Sequence, residues 1–401
     1  MRGEKVKKRL GWAAAFAAVS LLAGCASVER PQKEPQDLAV VRRADDLERA
    51  VELRRLMDKF LARAEAKASA ARKAGTGAAP ATLDLLVISG GGDWGAFGAG
   101  VLKGWGRARG ESARPQFDVV TGVSTGALIA PFAFLGDDAS IDRIVNLYRN
   151  PRKDVAVSRG WLFFLPNNPS FYILPGLEGE LRTALDRPMI ERIAAAEASG
   201  RGLLVNTTNI DLGGMRVWDI IAESRAALAS GDEDHVHQIL LASAGIPAVF
   251  PARGIGEHLY VDGAITGNII YAGRPRENES FPELWKAKHP GVPLRIRYWV
   301  IFNNQFRFPP QVTRERWPDI MGRATIMATQ TSTVNSMRHL FAMAELAKIK
   351  HNVDIEVRVI AVPEEWAPRQ PGTFVKEVMN DLADLGERMG ADPASWRTDP
   401  P

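Results

Sequence analysis

Ser124, Asp262 and the glycines at 90–92 are the residues of this 401-residue chain whose types and spacing could carry acyl transfer. Ser124 is the centre of Gly122-Val123-Ser124-Thr125-Gly126, the glycines open Gly90-Gly91-Gly92-Asp93-Trp94-Gly95, and Asp262 begins Asp262-Gly263-Ala264. A serine hydroxyl becomes a nucleophile when a neighbouring base takes its proton, and the resulting oxyanion needs N–H donors. The three motifs offer one of each part. Alone, each is also an ordinary turn sequence.

The elements around them decide whether the parts meet. Residues 117–120 read as a short buried strand and 125–132 as the opening of an apolar helix, which puts Ser124 on a strand-to-helix elbow. Such an elbow needs small residues on both sides, and Gly122 and Gly126 supply them. Residues 83–88 form a second apolar strand, ending in Ser89 and the glycine run, and residues 96–102 begin a helix. Two such units side by side aim two sets of amides at one point. Gly90, Gly92 and Gly95 also fit a G-x-G-x-x-G phosphate cradle, but no Walker lysine follows and the serine elbow would have no role.

Histidine occurs at 235, 237, 258, 289, 339 and 351, and none follows a strand as a triad histidine does. Asp262 does follow one, the β-rich run 259–261. A free aspartate has a pKa of about 3.9, so a carboxylate base would require an apolar, partly closed site. A Ser-His-Asp α/β-hydrolase using His289, His339 or His351 is a competing enzyme reading. A non-catalytic lipoprotein scaffold is a third.

With the motifs in this order, the chain resembles the patatin-like phospholipases over roughly residues 83–390. The resemblance implies a three-layer α/β fold with a largely parallel sheet flanked by helices. It implies a Ser-Asp dyad, with Ser124 as nucleophile, Asp262 as general base and the Gly90 to Gly95 loop as oxyanion hole, and no cofactor or metal. The substrate it implies is a lipid carboxylic ester, of the phospholipase A or lysophospholipase type. Residues 240–251 are similar to the family's block before the aspartate, and Thr207-Thr208-Asn209 to a segment that usually carries Thr-Asp. Trp94 departs from the family, which usually has Arg or Lys there.

The first residues indicate a compartment. Arg2, Lys5, Lys7, Lys8 and Arg9 precede an apolar run from Trp12 to Leu22, which ends in Leu22-Ala23-Gly24-Cys25. The run is short for a membrane span. It resembles a bacterial lipoprotein signal over 1–24, which implies acylation of Cys25 and, with Ala26 and Ser27 following, an outer-membrane lipoprotein facing the periplasm. Cys25 is the chain's one cysteine, so no intramolecular disulfide can form. Without residues 1–24 the count is 46 basic against 46 acidic side chains, which argues against a nucleic-acid partner and against a polybasic membrane adhesin.

The rest divides into a polar tether from 26 to 37, a helix or helical hairpin from 38 to 73, and a small-residue linker ending at 80. The tether and helical segment form one N-terminal region, 25–80, ahead of a catalytic domain over 81–390 and a tail over 391–401. In the helical segment Leu47, Val51, Met57, Phe60 and Leu61 recur at roughly helical spacing. The aromatic stretch 161–174 reads either as core packing or as a lid or acyl-chain wall; in the second case polar substitution of Phe163 and Phe164 is expected to harm long-chain substrates most, whereas equal loss on a short soluble ester would point to core packing.

Overall fold

The computed structural model describes residues 34–73, 80–160, 168–271 and 279–401. Cys25 with the signal sequence, most of the linker, and residues 161–167 with Phe163 and Phe164 lie outside the described residues. In chain order, α1 (Pro35–Lys73) precedes β1 (Ala81–Ile88), and α2 (Gly95–Trp105) leads to β2 (Val119–Val123). The helices α3 (Thr125–Leu135) and α4 (Asp138–Arg149) follow, then the antiparallel pair β3 (Val157–Ser158) and β4 (Tyr172–Ile173). Next come α5 (Pro175–Ala184), α6 (Arg187–Ala195), β5 (Gly202–Asn209), β6 (Gly214–Asp219), α7 (Ile220–Ser230) and α8 (Asp234–Ser243). The chain then forms β7 (Arg253–Ile255), β8 (His258–Asp262), α9 (Phe281–Lys288), β9 (Leu294–Phe302), α10 (Trp317–His351), β10 (Val353–Ala361) and α11 (Lys376–Ala391).

The sheet runs β10-β9-β1-β2-β5-β8-β7, with β6 also paired to β5. From β10 to β5 all neighbours are parallel, while β6, β7 and β8 join antiparallel. Strand residues alternate between two faces, as a pleated strand requires. Leu86, Ile88, Trp299 and Ile301 enter one core with α2, α3 and α11, and Leu83, Val87, Tyr298 and Val300 enter a second with α1, α9 and α10. The result is the three-layer α/β arrangement, because strands buried on both faces must be covered by helices on both.

One register creates the site. β6 pairs with β5 along Leu204 to Asn209, so β2 and β8 must share the other edge of β5. β2 occupies it up to Val123↔Asn206, and β8, running the opposite way, begins its pairing at Asp262↔Thr207. Two strands therefore meet end to end on adjacent β5 residues. The residue after one strand is Ser124, and the last residue of the other is Asp262.

The N-terminal segment is one continuous helix rather than a hairpin. Met57, Phe60, Leu61, Ala64 and Ala68 dock it, whereas Leu47 and Val51 are 71% and 53% exposed. Arg63 and Lys67 fix it to the buried Asp118 at 2.9 and 2.6 Å, and the same carboxylate accepts the Asp84 N–H at 2.8 Å. On the opposite face α2 packs against α11 through glycines. A Cβ on Gly100 or Gly386 would lie 2.2 Å from a facing backbone oxygen, so the helix that leaves the glycine-rich loop is held at backbone contact. The terminal segment is docked too, with Trp396 against Trp105 and Trp299, and Arg397 bonded in both directions to Val359.

Candidate active site

Ser124 has φ 55° and ψ −125°, a left-handed backbone that a side chain tolerates at a cost of about 1–3 kcal/mol. Its surroundings impose this shape. A Cβ on Gly122 would lie 2.3 Å from the Gly126 carbonyl oxygen, and one on Gly126 would lie 2.3 Å from that of Ile88. Strand β2, helix α3 and strand β1 thus touch through bare backbone on either side of the serine. The Ser124 N–H donates to Ser243 Oγ at 2.9 Å, and Ser243 Oγ donates to the Asn206 carbonyl at 2.6 Å.

Ser243, at the end of α8, ties the elbow to β5. Its replacement by Ala leaves the buried Ser124 N–H without an acceptor, a loss of about 1–3 kcal/mol. We expect Ser243→Ala to lower kcat by roughly ten- to a hundredfold with KM little changed, and Ser243→Thr to recover most of the loss. Steady-state kinetics on a soluble ester checks this.

Ser124 Oγ donates to Asp262 Oδ2 at 2.7 Å. The other carboxylate oxygen accepts the Ala264 N–H at 2.8 Å. The Asp262 backbone is fixed from two sides, its N–H donating to the Gly245 carbonyl at 2.9 Å and its carbonyl accepting Thr208 Oγ1 at 2.9 Å. Both side chains are buried. Burial pushes the Asp262 carboxyl up to about 7, against the lowering effect of its bonds from Ala264 and Ser124. A carboxylate in that range is a competent proton acceptor near neutral pH.

The glycine-rich loop lies against the serine, since a Cβ on Gly90 would come within 2.8 Å of Ser124 Cβ. Its amides are not equivalent. The Gly90 N–H donates to Asn268 Oδ1 at 2.8 Å, the Trp94 N–H to the Gly91 carbonyl, and the Gly95 N–H to the Asp93 and Gly92 carbonyls. Of the loop N–H groups, those of Gly91, Gly92 and Asp93 donate to no other described residue. Gly92 has φ 61°, and an added Cβ there would meet nothing within 4 Å.

Asp93 and Trp94 build the wall behind the loop. The buried Asp93 carboxylate accepts the Phe374 N–H at 2.8 Å, and burial raises its pKa. Trp94 meets Trp366 edge to face at 4.9 Å, so a packed ring stands where the resemblance supplies a cation. Asn303 supports the next turn, its Oδ1 accepting the Gly98 N–H at 3.0 Å and its Nδ2 donating to the Ser89 carbonyl at 2.8 Å.

The histidines lie elsewhere. His289 pairs with Glu65, His339 with Tyr271, His235 with Glu223 and His237 with the Leu185 carbonyl. His258 faces Asp211, and none of the six bonds to Ser124 or Asp262. Thr208 holds the Asp262 carbonyl, and Asn209 caps its own turn by accepting the Asp211 and Leu212 N–H groups. Among the described residues no three His, Cys, Asp or Glu side chains are grouped to hold a metal. Sequence reasoning missed Ser243, Asn206, Asn268 and Asn303. Ser243 is a single polar residue in an apolar stretch, the one signal that could have marked it, whereas Asn206 and Asn303 head the polar runs 206–209 and 303–305.

Residues 86–273 match the family model for patatin-like phospholipase, an interval that spans all three motifs but not the support from β9 to α11. No curated protein matches the chain. Among solved structures, VipD from Legionella pneumophila is similar at 12% identity and a TM-score of 0.35, covering 80% of this chain and 68% of its own. The family supports lipid acyl hydrolysis in general, with lipid esters as substrates. Residues 86–273 of this chain are a patatin-like phospholipase domain.

Proposed function

We propose that the protein is a serine lipid hydrolase of the phospholipase A or lysophospholipase type, working through a Ser124-Asp262 dyad. The observation that carries the reading is the 2.7 Å bond from Ser124 Oγ to a buried carboxylate whose pKa is raised to about 7. Ser124 Oγ attacks the ester carbonyl carbon as its proton passes to Asp262 Oδ2. The oxyanion is met by the Gly91 and Gly92 N–H groups. Collapse breaks the bond to the alcohol oxygen, Asp262 returns the proton to that oxygen, and the alcohol leaves an acyl-serine. Asp262 then takes a proton from water, whose oxygen attacks the acyl carbon. Release of the fatty acid returns the proton to Ser124. An oxyanion donor of this kind is worth about 2.7–4 kcal/mol.

In the same reading Cys25 is acylated and anchors the protein at the outer membrane facing the periplasm. Incorporation of a palmitate analogue that is lost in Cys25→Ala would support the anchor. For the chemistry, the test is mass-spectrometric detection of free fatty acid from phosphatidylglycerol vesicles and from lysophosphatidylcholine. Release from either by the wild-type protein supports the reading. Release from neither, at a protein concentration that hydrolyses a short soluble ester, would remove lipids from it.

A further inference from the structure

The first turns of α10 project from the body. From Trp317 to Ala328 most residues are exposed, and the helix rejoins the core at Gln330, Thr333, Val334 and Met337. On the projecting part Trp317, Ile320, Met321, Ala324, Met327 and Ala328 recur at i, i+3, i+4, i+7 spacing and form an apolar stripe, with Ile326 lying off it. Trp317, Ile320, Met321 and Met327 are 69, 52, 61 and 44% exposed. At 100° per residue this stripe lies roughly 150° around the helix from the buried face, so it is not an extension of the core. The other side of the same turns is only partly covered, and Ile326 there is 52% exposed. Arg323 stacks over the Phe308 ring and bonds the Pro309 carbonyl, and Arg314 pairs with Asp319 at 2.9 Å.

We infer that this stripe is a docking face for an anionic phospholipid surface, which it enters in-plane beside the active-site mouth; the inference rests on the lipid-ester reading above. Composition and charge favour a bilayer. A tryptophan with isoleucine and methionine on one side of a helix suits the depth between headgroups and acyl chains. No carboxylate lies on the stripe, and residues 306–328 hold four arginines against two acidic residues.

Position favours it as well. β9 ends at Phe302, on the same sheet end as Ser124, and α10 starts 15 residues later, at Trp317. Five residues after the arm's last exposed apolar pair, Thr333 Oγ1 accepts from Asn268 Nδ2 at 3.0 Å, and Asn268 holds the Gly90 N–H. The start of α1 points the same way, because Glu52 pairs with Arg216 of β6 at 2.6 Å while Lys67 reaches the Thr82 carbonyl at the far end of β1. A chain tethered through residues before 34 would present this end to its membrane.

The test is site-specific insertion in the full chain carrying Cys25→Ser, which leaves no other cysteine. Ile320→Cys places one label on the stripe. Gly322→Cys places a control on the opposite side, where an added Cβ meets nothing within 4 Å. Each is coupled to an environment-sensitive dye and mixed with phosphatidylcholine–phosphatidylglycerol vesicles containing a nitroxide lipid. At least threefold stronger quenching at 320 than at 322, weakening at high salt, is expected.

No quenching at 320, or equal quenching at both positions, would overturn the inference. So would a blue shift at 320 that depends on protein concentration without vesicles, which would assign the stripe to a second copy. This readout needs no turnover, so a failure of docking and a failure of the proposed chemistry are separate results. Where turnover is seen, Ile320→Gln with Met321→Gln is expected to lower vesicle hydrolysis at least tenfold and leave a short soluble ester unaffected.

Discussion

Ser124→Ala is expected to lower ester turnover by about 10⁴-fold or more, the scale on which loss of an activated serine nucleophile acts. The variant keeps the fold, because the bond that holds the elbow comes from the backbone N–H to Ser243 Oγ and not from the hydroxyl. Circular dichroism and a thermal midpoint within a few degrees of wild type would accompany the loss. Turnover that survives at a tenth of the wild-type rate would mean that another group does the chemistry.

Asp262→Asn is expected to abolish turnover to a similar extent and to stabilise the protein at alkaline pH. An amide cannot accept the serine proton. The stability effect follows from burial, since the Asp262 carboxyl is raised to about 7 when folded and titrates in the ordinary carboxylate range when unfolded. Between these values the folded protein binds the extra proton, so wild-type stability falls as pH rises from about 4 to 7 and is flat beyond. The variant removes this slope. Its thermal midpoint should exceed that of wild type at pH 8 and differ little at pH 4, and denaturation curves at the two values check it. A midpoint below wild type at pH 8 would mean that the charged carboxylate is stabilised by the fold.

The two strand-glycine-helix units were legible because a strand buried on both faces is a continuous apolar run and the elbow glycines are confined by contact. Residues 83–88 and 117–120 fall on β1 and across the start of β2, and residues 259–261 lie within β8. What could not be read was the register that makes β2 and β8 meet on β5, since hydrogen-bond pairing across more than fifty residues leaves no local pattern. The roles of Ser243 and Asn268 depend on that same closure. The N-terminal helix misled at its first turns, where Leu47 and Val51 follow the helical period but find no partner surface. In the glycine-rich loop the sequence offers six equivalent residues, and only the bond from Gly90 to Asn268 and the internal turn separate the free amides from those already bonded.

Trp94 braces the glycine-rich loop and makes no bond to the dyad. Its ring is occupied by Trp366, and Asp93 beside it by the Phe374 N–H, so the loop is braced by packing from the segment before α11.

The central claim is that Ser124 is activated by a carboxylate and not by an imidazole. Fluorophosphonate labelling of the wild-type protein, followed by peptide mass mapping across a pH series, tests it most directly. The account predicts one adduct, on Ser124, formed at a rate that rises to a plateau with a midpoint near pH 7, unchanged in single substitutions of all six histidines and lost in Asp262→Asn. An adduct on any other residue, or labelling of Ser124 that disappears with one histidine, would contradict it.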